Sequence, residues 1–355
     1  MTRVLAAMSG GVDSSVAAAL LAGSGVETIG VTMKLLARAE TGFGCCGSPA
    51  DVDDAKRVCE KLGIPHYVAD MAELFESKVI KPYVDAYLGG LTPNPCVECN
   101  RSVKFGHLLA LARAWGCAKV ATGHYARVDG GRLLKSVDGG KDQTYFLYSL
   151  TQKELDMALF PVGGLSKDAV RAKARELGLK TADKAESMET CFVPARDVRG
   201  FVAARPEGAG AAGLVRGPIR STGGRLLGEH AGLASYTVGQ RRGLGVTAPA
   251  PTYVVRLEPE TNTLVVGGEA ETACSELVAG AVTWTRGAPE GPRRAEVRVR
   301  HRHAPAPALV TPRPDGTAAV AFDAPQRAPA PGQAAVFYDG DEVLGGGTIL
   351  RGGAA

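Results

Sequence analysis

Residues 3–23, "RVLAAMSGGVDSSVAAALLAG", decide how the first half of this chain is read. The apolar run "RVLAAM" suits a β-strand, and "VAAALLAG" suits a helix. Between them stand two glycines, an aspartate and three serines. A plain turn needs one glycine and one polar residue, so this bend carries more small polar groups than a turn requires. Strand, glycine-rich bend and helix start, in that order, leave several backbone N–H groups at a helix N-terminus, where an anion binds. The same residues also read as an ordinary capped helix with Asp13 or Ser14 near the cap. The local pattern leaves both readings open.

The surrounding pattern favours the first. "TIGVTM" (28–33) is a short apolar run, and "ADVDDAKRVCEKLG" (50–63) spaces Val52, Ala55, Val58, Cys59 and Leu62 along one helical face, with Gly63 as a stop. "PHYVAD" is strand-like, "MAELFESKVIKPYVDAYL" helical, "SVKFGHLLALARAWG" helical over 102–115, and "AKVATGHY" the next strand. This alternation predicts an α/β domain with a parallel sheet covered by helices on both faces. Ligands of such sheets sit outside the carboxyl ends of the strands. There this sequence places Ser9–Ser14, then Met33 and Lys34, then Gly123-His124-Tyr125, which together point to a nucleotide site.

Near residue 195 the character changes. Short alternating runs such as "TYVVRLEP", "AEVRVRHRH" and "TAAVAF", rich in Gly, Pro, Val and Arg, read as small β domains, barrels among them. "ARPEGAGAAG" (204–213) reads as a joint, and a second falls near 270–280. The expected division is 1–200, 205–272 and 278–355. A chain of 355 residues, 45% hydrophobic and 22% charged, is long enough for two or three globular cores. No apolar run reaches the ~18 residues of a membrane span, and the N-terminus lacks a signal-peptide pattern, so a cytoplasmic protein is expected. The net charge of +4 is a mild hint of an anionic partner. Internal repeats are absent.

Eight cysteines in so long a chain suggest catalysis or metal binding rather than a disulfide framework. "TPNPCVECNRSVKF" (92–105) holds Cys96 and Cys99 as a C-x-x-C, and "ESMETCFVPARD" (186–197) holds Cys191 alone. A closed zinc site needs four ligands, and no second C-x-x-C exists. Cys45 and Cys46 are adjacent, which makes joint chelation awkward. Cys59 and Cys117 read as core residues, and Cys274 has no neighbours of note. In "EVRVRHRH" strand alternation puts Arg298, Arg300 and Arg302 on one face, either a solvated barrel surface or a row of phosphate contacts.

Neither the Walker pattern nor G-x-G-x-x-G is present. "SGGVDSS" after a first strand instead resembles the pyrophosphate loop of the ATP pyrophosphatases. Gly10 and Gly11 would let the backbone approach phosphates, Ser9, Ser14 and Ser15 would add donors, and Asp13 could hold Mg²⁺ or fix the loop. With N-P-C-x-x-C-N, "ATGHYARV", "KDQTYFLYSL", "FPVGGLSKDAVR", "GEHAGLASYTVGQRRGLGV" and "YDGDEVLGGGTI" in order, the whole chain resembles the bacterial tRNA-specific 2-thiouridylases of that superfamily.

The resemblance implies an N-terminal adenine nucleotide α-hydrolase-like domain, a small central domain and a C-terminal β-barrel. It implies ATP-dependent 2-thiolation of the wobble uridine of lysine, glutamate and glutamine tRNAs. Ala7, Met8, Ser9, Gly10, Gly11, Val12, Asp13, Ser14, Met33 and Gly123 would line the ATP site. Cys191 would carry a persulfide and Cys99 would attack it, leaving a Cys99–Cys191 disulfide. A thiolate is the active form, so a helix N-terminus or a cation such as Arg101 or Lys104 should favour it. Asn94, Pro95, Cys96, His124, Lys141, Asp142, Gln143, Gln240, Arg300 and His301 would contact the flipped base or the tRNA, with Arg241 and Arg242 beside Gln240.

Two departures matter. Several members carry aspartate where this chain has Cys96, so Cys96, Cys99 and Cys191 could instead ligate a [4Fe–4S] cluster. "SMET" before Cys191 also differs from the usual family segment. The expected partners are tRNA and a persulfide donor, either a cysteine desulfurase or a sulfur-relay protein. Two rival classes stay open: a small-metabolite synthetase of the same superfamily, and a non-catalytic RNA-binding protein.

Overall fold

The computed structural model describes residues 2–36, 47–185, 190–247 and 250–352. Cys45, Cys46 and residues 187–189 of "SMET" lie outside the described residues.

Strands β1 (Arg3–Ala7), β2 (Glu27–Lys34), β3 (His66–Asp70) and β4 (Lys119–Ala121) are followed by a hairpin, β5 (Ala126–Asp129) and β6 (Arg132–Lys135), and by the short β7 (Ala158–Leu159). Five of them form one parallel sheet in the order β3-β2-β1-β4-β7. Val4, Leu5, Ala6 and Ala7 of β1 are all buried because both faces of the sheet are covered. Val4 and Ala6 face helix α1 (Val12–Gly23), helix α2 (Pro49–Leu62) and the helix Lys167–Glu176, through Val16, Val58, Val170 and Ala174. Leu5, Ala7, Val31 and Met33 face the helices over 72–88 and 95–114, through Phe75, Val79, Val103 and Leu108. The expected alternation of strand and helix is therefore present. Its switch point lies between β1 and β4, and the loops after those two strands meet there.

Two local readings need correction. The helix placed at 102–115 begins seven residues earlier, because Pro95 occupies its first turn, where a missing N–H costs nothing. It runs on through wide π-helical turns at Cys99–His107 to Ala114. The hairpin β5–β6 was not expected at all. Gly130 and Gly131 both adopt positive φ (55° and 74°), the geometry of a tight hairpin turn. This hairpin reaches out of the first domain to β17 (Glu342–Ile349), pairing Leu134 with Glu342, while Arg127 bonds Asp341 at 2.9 Å.

Downstream, β8 (Gly217–Ser221), β9 (Leu226–His230), β10 (Tyr253–Glu258) and β11 (Thr263–Gly267) form a four-stranded sheet over Ile219, Leu233, Val254 and Leu264. Its outer strands, β9 and β10, do not pair with each other among the described residues. The last domain is a closed barrel: β12 (Ala273–Trp284), β13 (Arg293–Arg298), β14 (Ala306–Pro312), β15 (Ala318–Arg327), β16 (Ala334–Asp339) and β17 run in the order β12-β15-β14-β13-β16-β17, and β12 pairs with β17. Leu277, Val297, Val310, Val320 and Phe337 fill it. No helix among the described residues is long and apolar enough to cross a membrane.

Candidate active site

The bend after β1 is built by its own side chains. Gly10 sits at φ +71°, and a Cβ there would come within 2.5 Å of the Asp51 carbonyl. Gly11 precedes α1, and no side chain caps that helix. The hydroxyls of Ser14 and Ser15 both donate to the Gly11 carbonyl (3.1 and 2.7 Å), and the Ser9 amide donates to Ser14 Oγ. The reading of Asp13 or Ser14 as a helix cap is thereby overturned, since both side chains are engaged elsewhere. The first turn of this twelve-residue helix is left without a side-chain cap, an arrangement that suits an anion.

Asp13 accepts from Lys167 Nζ at 2.7 and 2.8 Å and from the Tyr125 hydroxyl at 2.8 Å. These bonds are the second of its two expected roles, holding Mg²⁺ or fixing the loop. Gly123, after β4, presses on the same loop: a Cβ there would stand 2.6 Å from the Ser14 amide nitrogen. Lys184 closes the far side, donating to the Gly10 carbonyl (3.0 Å), Asp51 (2.8 Å) and Asp54 (2.7 Å). Neither lysine was singled out from the sequence. Lys167 stood in the quoted "GLSKDAVR", but nothing local marks a partner so distant in the chain.

A cavity of about 1250 Å³ opens from this loop. Ser9, Gly11, Val12 and Asp13 wall one part of it, with Lys167 and Lys184. Ala7, Met8 and Met33 of the expected ATP set do not line it; their side chains are packed into the two sheet cores. Gly10, Ser14 and Gly123 of that set do not line it either.

The same cavity is lined by Asn94, Pro95, Cys96, Cys99 and Cys191. Cys96 lies in the first turn of the helix over 95–114, and Cys99 one turn further on, inside the helix rather than before it as expected. All three cysteines are thiols, Cys96 exposed toward the cavity and the other two half-buried. Although the residue is exposed, burial of its thiol against the cavity wall and then the nearby Cys191 push the pKa of Cys96 up to about 11, against the pull of Lys104. Lys104 Nζ lies 3.4 Å from His124 Nε2, and His124 Nδ1 lies 2.6 Å from Thr122 Oγ1. Burial, then Lys104, holds His124 well below the usual histidine range. The neutral ring thus accepts from Lys104 and donates to Thr122. Among the described residues no three His, Cys, Asp or Glu side chains gather to hold a metal ion.

The barrel supplies the remaining wall. Arg298, His301, Arg302 and His303 face the cavity, and the His301 ring packs on Phe146 with centroids 4.5 Å apart. The expected row of arginines does not form, because β13 ends at Arg298 and the chain then turns, with the His303 amide donating to the Arg300 carbonyl. Arg298 is nearly buried and bonds Asp142 at 3.5 Å. Arg300 donates to the carbonyls of Val238 and Ala328, tying the central domain to the barrel. Arg302 is exposed.

The other residues expected at the tRNA divide in the same way. Lys141 lines the cavity. Asp142 is buried beneath the Ser136 amide, Thr144 and Arg298. Gln143 accepts from the Tyr125 amide while still reaching the cavity. Gln240 turns its amide into its own loop, bonding the Thr237 amide and the Arg242 carbonyl, and does not reach the cavity wall.

Residues 2–195 match the family model described as the tRNA methyl transferase HUP domain, 211–268 the tRNA methyl transferase PRC-barrel domain, and 274–349 the aminomethyltransferase beta-barrel domain. The tRNA-specific 2-thiouridylase MnmA of Heliobacterium modesticaldum is 46% identical over 98% of this chain and 92% of its own. That of Symbiobacterium thermophilum is 48% identical over 98% and 92%. That of Geobacter metallireducens is 46% identical over 98% and 96%. On this likeness, spanning all three domains, the chain belongs to the family of tRNA-specific 2-thiouridylases, which are tRNA sulfurtransferases.

Proposed function

We propose that this enzyme uses ATP to replace the C2 oxygen of the wobble uridine of tRNA by sulfur carried on Cys191. One observation carries the reading: the anion-binding loop, the three cysteines and the barrel's Arg302 and His301 all line a single cavity. At about 1250 Å³ it exceeds the ~300–1,000 Å³ of a typical single-ligand pocket. It has room for a nucleotide and an extruded base together.

In this reading the phosphates of ATP lie on the α1 amides, between Lys167 and Lys184. The uridine O2 attacks the α-phosphorus and pyrophosphate leaves. O2 then becomes part of a good leaving group, AMP. The outer sulfur of a Cys191 persulfide attacks C2, and AMP departs with the oxygen. Cys99 attacks the Cys191 sulfur, the sulfur–sulfur bond to the base breaks, and a Cys99–Cys191 disulfide remains. A cysteine desulfurase or sulfur-relay protein would reload Cys191. The base must leave its stack to be reached, and the Phe146–His301 pair on the cavity wall offers a ring surface for it.

The test is pyrophosphate release from ATP without any sulfur donor. Release that depends on added tRNA supports adenylylation of the base. Release at the same rate without tRNA would point to a small-molecule synthetase instead.

A further inference from the structure

Cys96 has no part in the relay just described, yet it lines the same cavity as Cys99 and Cys191 and is the exposed member of the three. Cys96 and Cys99 stand three residues apart at the start of one helix. Side chains at that spacing are neighbours, with Cβ atoms about 5–6 Å apart. Helix geometry sets Cα atoms three residues apart at about 5 Å, inside the ~4.4–6.8 Å of a disulfide, and a bridge forms when the first turn shifts enough to bring the Cβ atoms to about 3.8 Å. Cys191 lies near enough for its thiolate to oppose ionisation of Cys96. A bond between Cys99 and Cys191 would therefore form beside a third thiol on the same cavity wall.

We propose that Cys96 resolves the Cys99–Cys191 disulfide by thiol–disulfide exchange, an inference that rests on the persulfide reading above. Cys96 loses its proton, a step made slow at neutral pH by its raised thiol pKa and faster as pH rises, and its thiolate attacks the Cys99 sulfur. The Cys99–Cys191 bond breaks, its electron pair leaves on Cys191, and Cys191 takes up a proton. The exchange is redox-neutral: one disulfide is consumed and one, Cys96–Cys99, is formed. Cys191 returns at once as a thiol able to accept sulfur. An external thiol reductant supplies the two electrons that reopen Cys96–Cys99, and it meets a disulfide that includes the most exposed residue of the three cysteines.

The experiment is a single turnover of the full-length enzyme with tRNA, ATP and one equivalent of persulfide, without reductant. It is quenched by alkylation, and the disulfides are mapped by peptide mass spectrometry. The proposal expects a Cys96–Cys99 bridge with Cys191 alkylated. A Cys99–Cys191 bridge beside alkylated Cys96 overturns the proposal and leaves the relay standing. Formation of 2-thiouridine with no disulfide at all overturns the relay and the proposal with it. In Cys96→Ser the Cys99–Cys191 bridge should accumulate, and dithiothreitol should restore it to a second turnover at least tenfold more slowly than wild type. Equal rates of recovery refute the role of Cys96.

Discussion

Lys167 is the residue whose removal tests the nucleotide site most sharply. Its ammonium touches both oxygens of Asp13 at 2.7 and 2.8 Å, and its side chain is only 9% exposed. In Lys167→Met the Asp13 carboxylate loses its counter-charge within the loop. Breaking a fully buried pair this way costs roughly 3–5 kcal/mol. Asp13 is 30% exposed and keeps the Tyr125 hydroxyl, which brings the expected loss of stability to about 2 kcal/mol. The larger effect falls on the reaction. A preorganised donor aimed at developing charge is worth about 10²–10³ in rate, so tRNA-dependent pyrophosphate release should fall about 100- to 1,000-fold. The barrel face that carries Arg302 is untouched, so the Kd for tRNA should stay within about twofold. The assay pairs pyrophosphate release with tRNA binding on the same preparation, below its melting temperature. Release within about threefold of wild type would refute the placement of the phosphates beside Lys167.

Other substitutions separate the remaining roles. Gly123→Ala drives a methyl against the Ser14 amide; overpacking of about 1–3 kcal/mol should weaken ATP binding about 5- to 150-fold, read by nucleotide titration calorimetry. Arg302→Ala should lower the salt slope of tRNA binding by about one unit, as loss of a phosphate contact does. Arg300→Ala, whose guanidinium already serves two carbonyls, should leave that slope unchanged and lower the melting temperature. For His124, folding depresses the pKa, so the unfolded chain takes up its proton first as pH falls. That stability is present above about pH 6.5 and is lost below it, by about 1.4 kcal/mol per pH unit. Urea denaturation at pH 7.5 and 5.5 should show a smaller acid penalty in His124→Asn than in wild type.

The α/β half of the fold was legible because its signals are local. The strand, bend and helix of residues 3–23, the Gly63 stop and the apolar runs at 28–33 and 118–125 each carry their own pattern, and the sheet follows from their order. The loop's chemistry was only half legible. Ser9 to Ser14 sit together in sequence, whereas Lys167 and Lys184 arrive by tertiary folding from more than a hundred residues away. Period-two alternation in "EVRVRHRH" was carried past Arg298 into a turn, and so Arg300 was placed on a face it does not share. The turn glycines of the β5–β6 hairpin, Gly130 and Gly131, were visible but lay between two segments read for their resemblance, "ATGHYARV" and "KDQTYFLYSL". Pro95 was likewise an available helix-start signal, and using it would have put Cys96 and Cys99 on one helix from the outset.

The most direct test of the account follows the sulfur atom. Enzyme loaded at Cys191 with a ³⁴S persulfide is mixed with tRNA and ATP for one turnover, and the nucleosides at position 34 are analysed by mass spectrometry. The account predicts ³⁴S-labelled 2-thiouridine at that position, formed only with ATP and absent in Cys191→Ala. Thiolation that proceeds in Cys191→Ala, or that draws unlabelled sulfur while the Cys191 label stays on the protein, would contradict it.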